Sequence, residues 1–266
     1  MTRFSWLKLL GSLSLLLAAA LSANAQFTPP QAAPVDAKPT LEVATIKPSQ
    51  PNQPRFFQVD GLKLRTSATT VVDLIMFAYS MHSAQIIGGP QWIRTDRYDV
   101  VMQPNLSTRP STAQMRVIVQ QLLADRFVLK THHAMQRLEV YALVPSKKGA
   151  NLATVKPEEA AANTAAGGYM PGAITARNAT VAEFANLINR YMQPQWPVVD
   201  DTHLTGKFDF DVKWMPEEGE RAGTSNGAMP PQLFAVMDEQ LGLELKPTKE
   251  PMDVLMIDSM ARPEAN

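Results

Sequence analysis

The residues best suited to chemistry form a short cluster late in the chain: Asp200, Asp201 and His203. A carboxylate that orients a histidine is what a general base needs. The same residue types are typical of a polar turn, in which Asp and Thr side chains bond the nearby backbone. The sequence has no H-E-x-x-H metal motif and no glycine-rich phosphate loop. We therefore interpret the cluster as a turn, and keep hydrolysis with Asp201 and His203 as the alternative.

The chain offers few ligands for a metal ion. It has four histidines, His82, His132, His133 and His203, and no cysteine, which excludes thiolate sites. His132 and His133 are adjacent, so on a strand they point to opposite faces and at most one could join a site. We expect no metal and no cofactor.

Two short segments 110 residues apart match each other: Arg97-Tyr98-Asp99 and Lys207-Phe208-Asp209. They could be two equivalent binding spots, or strands with outward charges and an inward aromatic ring. Tryptophans beside them could anchor a partner or cover the edge of a core. We keep six side chains as possible interaction residues: Trp92, Arg97, Tyr98, Trp196, Lys207 and Phe208.

The elements that would position these residues also recur at a shift near 110. Thr70 with Asp73, and Thr180 with Glu183, have the spacing of a helix capping box, and apolar residues follow each at helical spacing. Residues 56–65 predict a hairpin around Asp60-Gly61. Each half is expected to end in a helix followed by two strands. In the first half these two strands are predicted at residues 127–133 and 138–144. The pattern predicts an internal duplication.

The predicted fold class is α+β, with two repeated small α/β-sandwich-like modules, each of about two helices against a small mixed sheet. The predicted boundaries are a signal peptide (1–25), a Pro/Ala-rich tether (26–40), a first repeat (41–145), a low-complexity linker (146–171), a second repeat (172–260) and a tail (261–266). Residues 217–231 are a predicted flexible insertion within the second repeat.

The first 25 residues have the pattern of a secretory signal. Arg3 and Lys8 precede an apolar run at residues 9–21, and Ala23-Asn24-Ala25 ends it as an A-x-A site. Cleavage is expected between Ala25 and Gln26. The run is too short to cross a bilayer, so we expect an exported protein, periplasmic or extracellular, without a transmembrane anchor after cleavage.

Composition narrows the functional classes. The chain carries 25 basic and 25 acidic residues, and removal of Arg3 and Lys8 with the signal leaves a net charge of −2. No dense basic run is present, which argues against a nucleic-acid partner. An exported chain without cysteine has no disulfides, so its hydrophobic core must hold it together.

Several segments resemble a soil-associated exported bacterial family of unknown function. The resemblance rests on LEVATIKPS (41–49), IIGGPQW (86–92) with DRYDV (96–100), LLADRFVLK (122–130) with VYALV (140–144), ARNATVAEFANLI (176–188), VVDDTHLTGKFDF (198–210) and QLGLELK (240–246). It implies export and a two-part layout, and some relatives carry such a region beside a membrane-bound sensor peptidase. Each half also loosely resembles the short N-terminal modules of secretins and TonB-dependent receptors. Where the family has glycine in D-x-T-G-L-T-G, this chain has His203.

These observations favour an exported, non-catalytic binding module of the envelope or the secreted fraction. The expected partner is an envelope protein, a peptide or a polymer. The alternative is a hydrolase of an extracellular or envelope polymer that uses Asp201 and His203. A sensor input domain is a third interpretation.

Overall fold

Three four-stranded sheets and the helices packed on them make up the described part of the chain. The computed structural model describes residues 39–162, 165–216, 218 and 229–264, which belong to one compact unit, Lys38–Asn266. The predicted signal peptide with its Ala25–Gln26 cleavage site, most of the tether and most of the 217–231 insertion lie outside the described residues.

The elements follow one another without long gaps. The first repeat region contains β1 (Leu41–Pro48), β2 (Phe56–Asp60), β3 (Lys63–Thr70), α1 (Val71–Tyr79), β4 (Ile86–Gly88), α2 (Trp92–Thr95), β5 (Arg97–Pro104), α3 (Thr112–Arg126) and β6 (Lys130–Pro145). The remainder contains β7 (Ala153–Thr154), α4 (Pro157–Ala162), β8 (Ala166–Met170), β9 (Ala173–Ala179), α5 (Val181–Met192), β10 (Val198–Asp200), β11 (Phe208–Lys213), α6 (Pro231–Leu241) and β12 (Leu243–Ser259). The mixture confirms the predicted α+β class.

Each half of the chain has its own antiparallel sheet. Their strand orders are β1-β5-β3-β2 and β7-β11-β9-β8. Helices α1 and α3 bury their apolar faces in the core of the first half, and α5 and α6 do so in the core of the second. The predicted hairpin is the β2–β3 pair, whose turn contains Gly61 at φ 60°.

The third sheet is shared, with the order β10-β6-β12-β4. Strand β4 of the first half pairs in parallel with β12, and β10 of the second half pairs in parallel with β6. A short strand of each half thus pairs with the long strand of the other half. The structure therefore differs from two self-contained modules, and its mixed sheet belongs to both halves.

The prediction of two strands at the end of each half is wrong. Strand β6 runs unbroken over 16 residues and β12 over 17. They pair antiparallel from Leu243 opposite Pro145 to Ser259 opposite Lys130. The polar middle of each strand looks like a break in the sequence, but it continues because the other strand supplies hydrogen-bond partners. Pro247 and Pro251 are four residues apart and so take equivalent places in the ladder.

The linker prediction for residues 146–171 is also wrong, because this segment contains β7, α4 and β8. Strand β8 pairs with β9 along its whole length. A Cβ on Gly167 would collide with the Leu187 side chain of α5. Gly167, one of the glycines that suggested a flexible linker, therefore permits close approach between a strand and a helix.

The joints before α1 and α5 have the same geometry, 110 residues apart. Ala68 (φ 49°) and Asn178 (φ 51°) both take the left-handed conformation. The Asp99 and Asp209 carboxylates accept hydrogen bonds from their N–H groups, at 3.0 and 2.9 Å. Thr70 and Thr180 then begin the helices with complete capping boxes. These parallels agree in detail, and the duplication itself stays a prediction.

Candidate functional site

The Asp200–His203 cluster forms a surface turn. Asp200 Oδ1 accepts hydrogen bonds from the backbone N–H and the hydroxyl of Thr202, at 3.0 and 2.7 Å. His203 Nε2 lies 3.7 Å from Asp201 Oδ1, its side chain is 87% exposed, and its φ is 56°. Glycine adopts a positive φ without steric cost, so this conformation accounts for the glycine that the resembling pattern has where this chain has His203. The pattern G-x-S-x-G, which in serine hydrolases positions the nucleophile, occurs at residues 223–227. These residues lie outside the described part of the chain.

His132 and His133 lie on the exposed β6–β12 ribbon. Each makes its own contact with an aspartate of β12: His132 with Asp258 at 2.8 Å, and His133 with Asp253 at 2.9 Å. In the part of the chain that the structure describes, no three metal-ligating side chains come together.

Arg97 and Lys207, which occupy equivalent positions in the two similar segments, both make hydrogen bonds within the fold. Arg97 Nη1 donates to Ala68 O at 3.0 Å, and Lys207 Nζ donates to Glu183 Oε2 at 2.6 Å. Tyr98 and Phe208 are buried. This arrangement favours the strand interpretation over two equivalent binding spots.

The two tryptophans of the candidate set pack against other groups and lie apart from each other in the fold. The Arg262 guanidinium lies 5.3 Å from the Trp92 ring and pairs with Asp96 at 2.8 Å. Trp196 packs on Tyr141 of β6, with ring centroids 5.1 Å apart. Arg97 and Tyr98 line a shallow cavity of about 420 Å³, part of which is formed by the tail residues Arg262 and Pro263.

A larger cavity, of about 590 Å³, lies where the two halves meet; we call it the α1–α5 cavity. Its volume is in the range of small-molecule sites, about 300–1,000 Å³. The first half supplies Arg55, Phe57 of β2, residues of α1 and α3 and the loop after α1, and the second half supplies residues of α5 and the Gln193 that ends it. Its lining includes Phe57, Phe77, Arg116, Asn186, Leu187 and Arg190.

Aromatic and aliphatic groups form much of the cavity wall. Phe57 and Phe77 are in contact, with ring centroids 4.6 Å apart. Phe57 of the first half and Tyr191 of the second half both line the cavity, and each is 37% exposed. Exposed aromatic side chains beside a cavity are typical of ligand sites.

Both carboxylates of the lining already have cationic partners. Asp73 pairs with Arg55 at 2.6 Å, and Glu183 pairs with Lys207 at 2.6 Å. Each carboxylate also completes the capping box of its helix. Burial acts to raise the pKa of Glu183, but the hydrogen bonds from Lys207 and Thr180 outweigh it and hold that pKa below its usual value.

Two arginines of the lining have no such partner. The Arg116 Nε is buried and makes no hydrogen bond with any residue that the structure describes. Arg190 is exposed and lies 5.5 Å from the Tyr191 ring, with no carboxylate within ion-pair distance in the described ranges. The cavity therefore has a surplus of positive charge.

His82 lies buried in the cavity wall and joins the two halves. Its Nε2 is 2.8 Å from Pro194 O, and its Nδ1 accepts a hydrogen bond from Ala84 N at 3.2 Å. An Nδ1 that accepts must be unprotonated, so this network selects the neutral Nε2–H tautomer. Burial lowers the pKa of His82, against the opposing effect of the Pro194 carbonyl.

His82 makes the stability of the fold depend on pH. Because its pKa is lowered in the folded state, the unfolded chain, with its pKa near 6.5, binds more protons in mildly acidic solution. The contribution of neutral His82 to stability is fully present above about pH 6.5. It is lost as the pH falls through the pKa that His82 has in the folded state. We expect the free energy of unfolding, measured by urea denaturation, to fall by up to about 1.4 kcal/mol per pH unit in this window.

His82→Gln should remove most of that slope, since glutamine can still donate to Pro194 O. The exposed His203→Gln serves as the control. The pKa values of Asp99 and Glu183 are lowered from their usual 3.8 and 4.5. These two carboxyls therefore change the stability only below those pH values, outside the window of His82. A His82→Gln chain with an unchanged slope would contradict the assignment.

Sequence reasoning did not single out the cavity, although one signal for it was present. Arg116 shares a helical stripe with Val119 and Leu123, both fully buried. A charge at i with buried apolar residues at i+3 and i+7 is unusual on a core-facing stripe. Arg190 carries no such signal, because its helical neighbours Asn186 and Leu187 are not buried.

A family model matches residues 72–260, from the start of α1 to the end of β12. The chain belongs to the family described as "Protein of unknown function (DUF3738)". The DUF3738 match confirms an uncharacterised family, and it includes every lining residue of the cavity except Arg55 and Phe57. Soil association, export and the likeness to secretin modules stay predictions.

Neither the curated proteins nor the solved structures contain a match to this DUF3738 chain. Among the described residues, no helix is long and apolar enough to cross a membrane.

Proposed function

We propose that this chain is an exported, non-catalytic binding module, and that the α1–α5 cavity is its ligand site. The observation that carries the proposal is the lining of this cavity. Aromatic and aliphatic side chains, together with a larger set of polar and charged groups from both halves, surround about 590 Å³. A cavity of this volume with aromatic side chains and convergent polar groups fits ligand binding.

The positions of the lining groups also support binding. Most of them stand on α1, α3 and α5, whose opposite faces are buried in the two cores. Side chains on packed helices are held more accurately than side chains on loops, which reduces the ordering cost on binding.

The geometry gives less support to the hydrolase alternative. A general base must lie within about 2.6–3.2 Å of its partner groups. The Asp201–His203 separation is 3.7 Å, and His203 lies on an exposed turn outside the cavity. An envelope protein or polymer as partner stays a prediction, and a cavity of this size favours a compact ligand.

A cavity-filling substitution tests the proposal. Asn186 is an exposed α5 residue of the lining, so Asn186→Trp should occupy the cavity without disturbing the core. The test uses residues 26–266, the predicted mature chain, and isothermal titration calorimetry with charged and neutral naphthalene probes. We expect binding of at least one probe and a loss of tenfold or more in Asn186→Trp, about 1.4 kcal/mol.

Ala235→Trp is the matched control, because Ala235 is an exposed residue of α6 that does not line the cavity. It should bind like the unmodified chain. The absence of binding by every probe, or equal binding by the two tryptophan variants, would refute the proposed site.

A further inference from the structure

We infer that the α1–α5 cavity takes a small organic anion, with a carboxylate or sulfonate group on a compact apolar body. This inference rests on the proposed function, because it names the ligand class of the same cavity. It follows from three features of the lining: the neutralised acids, the two unpaired guanidinium groups and the apolar walls.

The carboxylates of the lining already have partners and do not neutralise Arg116 or Arg190. Asp73 is held by Arg55 and by the cap of α1, and Glu183 by Lys207 and the cap of α5. His82 is held neutral by the hydrogen bond that its Nδ1 accepts from Ala84. The remaining charge of the lining is therefore positive.

Arg116 supplies the stronger recognition group. Arg116 lines the cavity, and its Nε is shielded from solvent and unbonded within the described residues. No carboxylate of the described residues neutralises this guanidinium. Because the Nε is out of reach of a ligand, a ligand carboxylate would accept hydrogen bonds from the terminal N–H groups of Arg116.

Arg190 supplies a second cation from the other half of the chain. It stands on α5, lies 5.5 Å from the Tyr191 ring and is exposed at the cavity. An anion between Arg116 and Arg190 would contact both halves of the protein.

The apolar walls exclude a bare inorganic anion as the preferred ligand. Phe57 and Phe77 pack together on one side, and Leu187 of α5 contributes on the other. An ion such as phosphate would leave these groups in water, whereas a flat apolar body would cover them. The lining thus matches a molecule with one charged end.

The test compares two probes of nearly equal shape, naphthalene-1-acetate and naphthalene-1-acetamide, with inorganic phosphate as a third. Calorimetric titrations use residues 26–266 at low and at moderate salt. We expect the carboxylate to bind at least tenfold more tightly than the amide, with an advantage that shrinks in salt. Phosphate should bind more weakly than the carboxylate.

Variants assign the charge to residues. Arg116→Gln should weaken carboxylate binding about ten- to a hundredfold, and the exposed Arg190→Gln about three- to tenfold. Both should weaken amide binding much less than carboxylate binding, because the amide has no charge, and urea denaturation shows that the variants are folded. Arg109→Gln removes an exposed charge outside the lining and should change nothing.

The outcomes separate this inference from the proposed function. If amide and carboxylate bind equally and Asn186→Trp abolishes both, the cavity is a ligand site and the anion inference is wrong. If the carboxylate advantage survives in the Arg116→Gln, Arg190→Gln double variant, the inference is also wrong. If no probe binds, the proposed site itself fails.

Discussion

Gly242→Ala is expected to lower the free energy of unfolding by about 3–5 kcal/mol. Gly242 ends α6 in the left-handed conformation (φ 62°), and its N–H donates to Asp238 O at 3.0 Å. A Cβ at this position would collide with the carbonyl oxygen of Gly149. Gly149 belongs to the loop at residues 146–151. This loop cannot move away easily, because Ser146 N and Asn151 N donate to carbonyls at the end of α6, each at 2.8 Å.

Gly61→Ala separates the two causes. Gly61 has nearly the same φ, 60°, but a Cβ there would meet nothing within 4 Å. This variant should cost only the left-handed conformation, about 1–2 kcal/mol. Urea denaturation of both variants measures the difference. Equal losses would show that the contact between Gly242 and the 149–151 loop contributes nothing to stability.

Ile86→Ala is expected to destabilise both halves of the protein together, by about 2–5 kcal/mol. Ile86 is 1% exposed and packs in the first core, yet its strand β4 pairs with Leu255–Ile257 of β12. The cavity left by the substitution would weaken the first core and the shared sheet at once. Hydrogen exchange should therefore report equal losses of protection in β3 and in β9.

Val43→Ala is the control for Ile86→Ala. Val43 is 55% exposed on β1 of the same half, so the change should stay within about 0.5 kcal/mol. The opposite result for Ile86→Ala, a loss of protection confined to β3 and its neighbours, would mean that the halves unfold independently. The two-module layout would then describe the stability of the chain better than one shared unit does.

The local elements were predictable where a short-range signal decides the structure. The capping boxes at Thr70 and Thr180 predicted both helix starts, and the structure confirms them. The Asp60-Gly61 dipeptide predicted the β2–β3 turn. In each case the deciding hydrogen bond or dihedral angle lies within three or four residues, so neighbouring letters contain the information.

The misassigned elements depend on distant partners. The unbroken run of β6 requires β12, whose first residue, Leu243, lies 98 positions after the last residue of β6, Pro145. Strand β8 forms because β9 pairs with it, and its Gly167 matters because Leu187 of α5 approaches it. From composition alone, such segments are predicted to be breaks and linkers. The prediction fails because tertiary pairing supplies the hydrogen bonds and overrides the local propensity.

The candidate site follows the same division. The sequence by itself determined the α+β class, the helix starts, the cysteine-free core and the turn character of Asp200–His203, because each rests on residue type and short spacing. Only the tertiary structure decided that β4 and β10 cross between the halves. It also decided that Arg116 and Arg190, 74 positions apart in the numbering, line one cavity. Their distance in space is set by the packing of α1, α3 and α5, which no local pattern encodes.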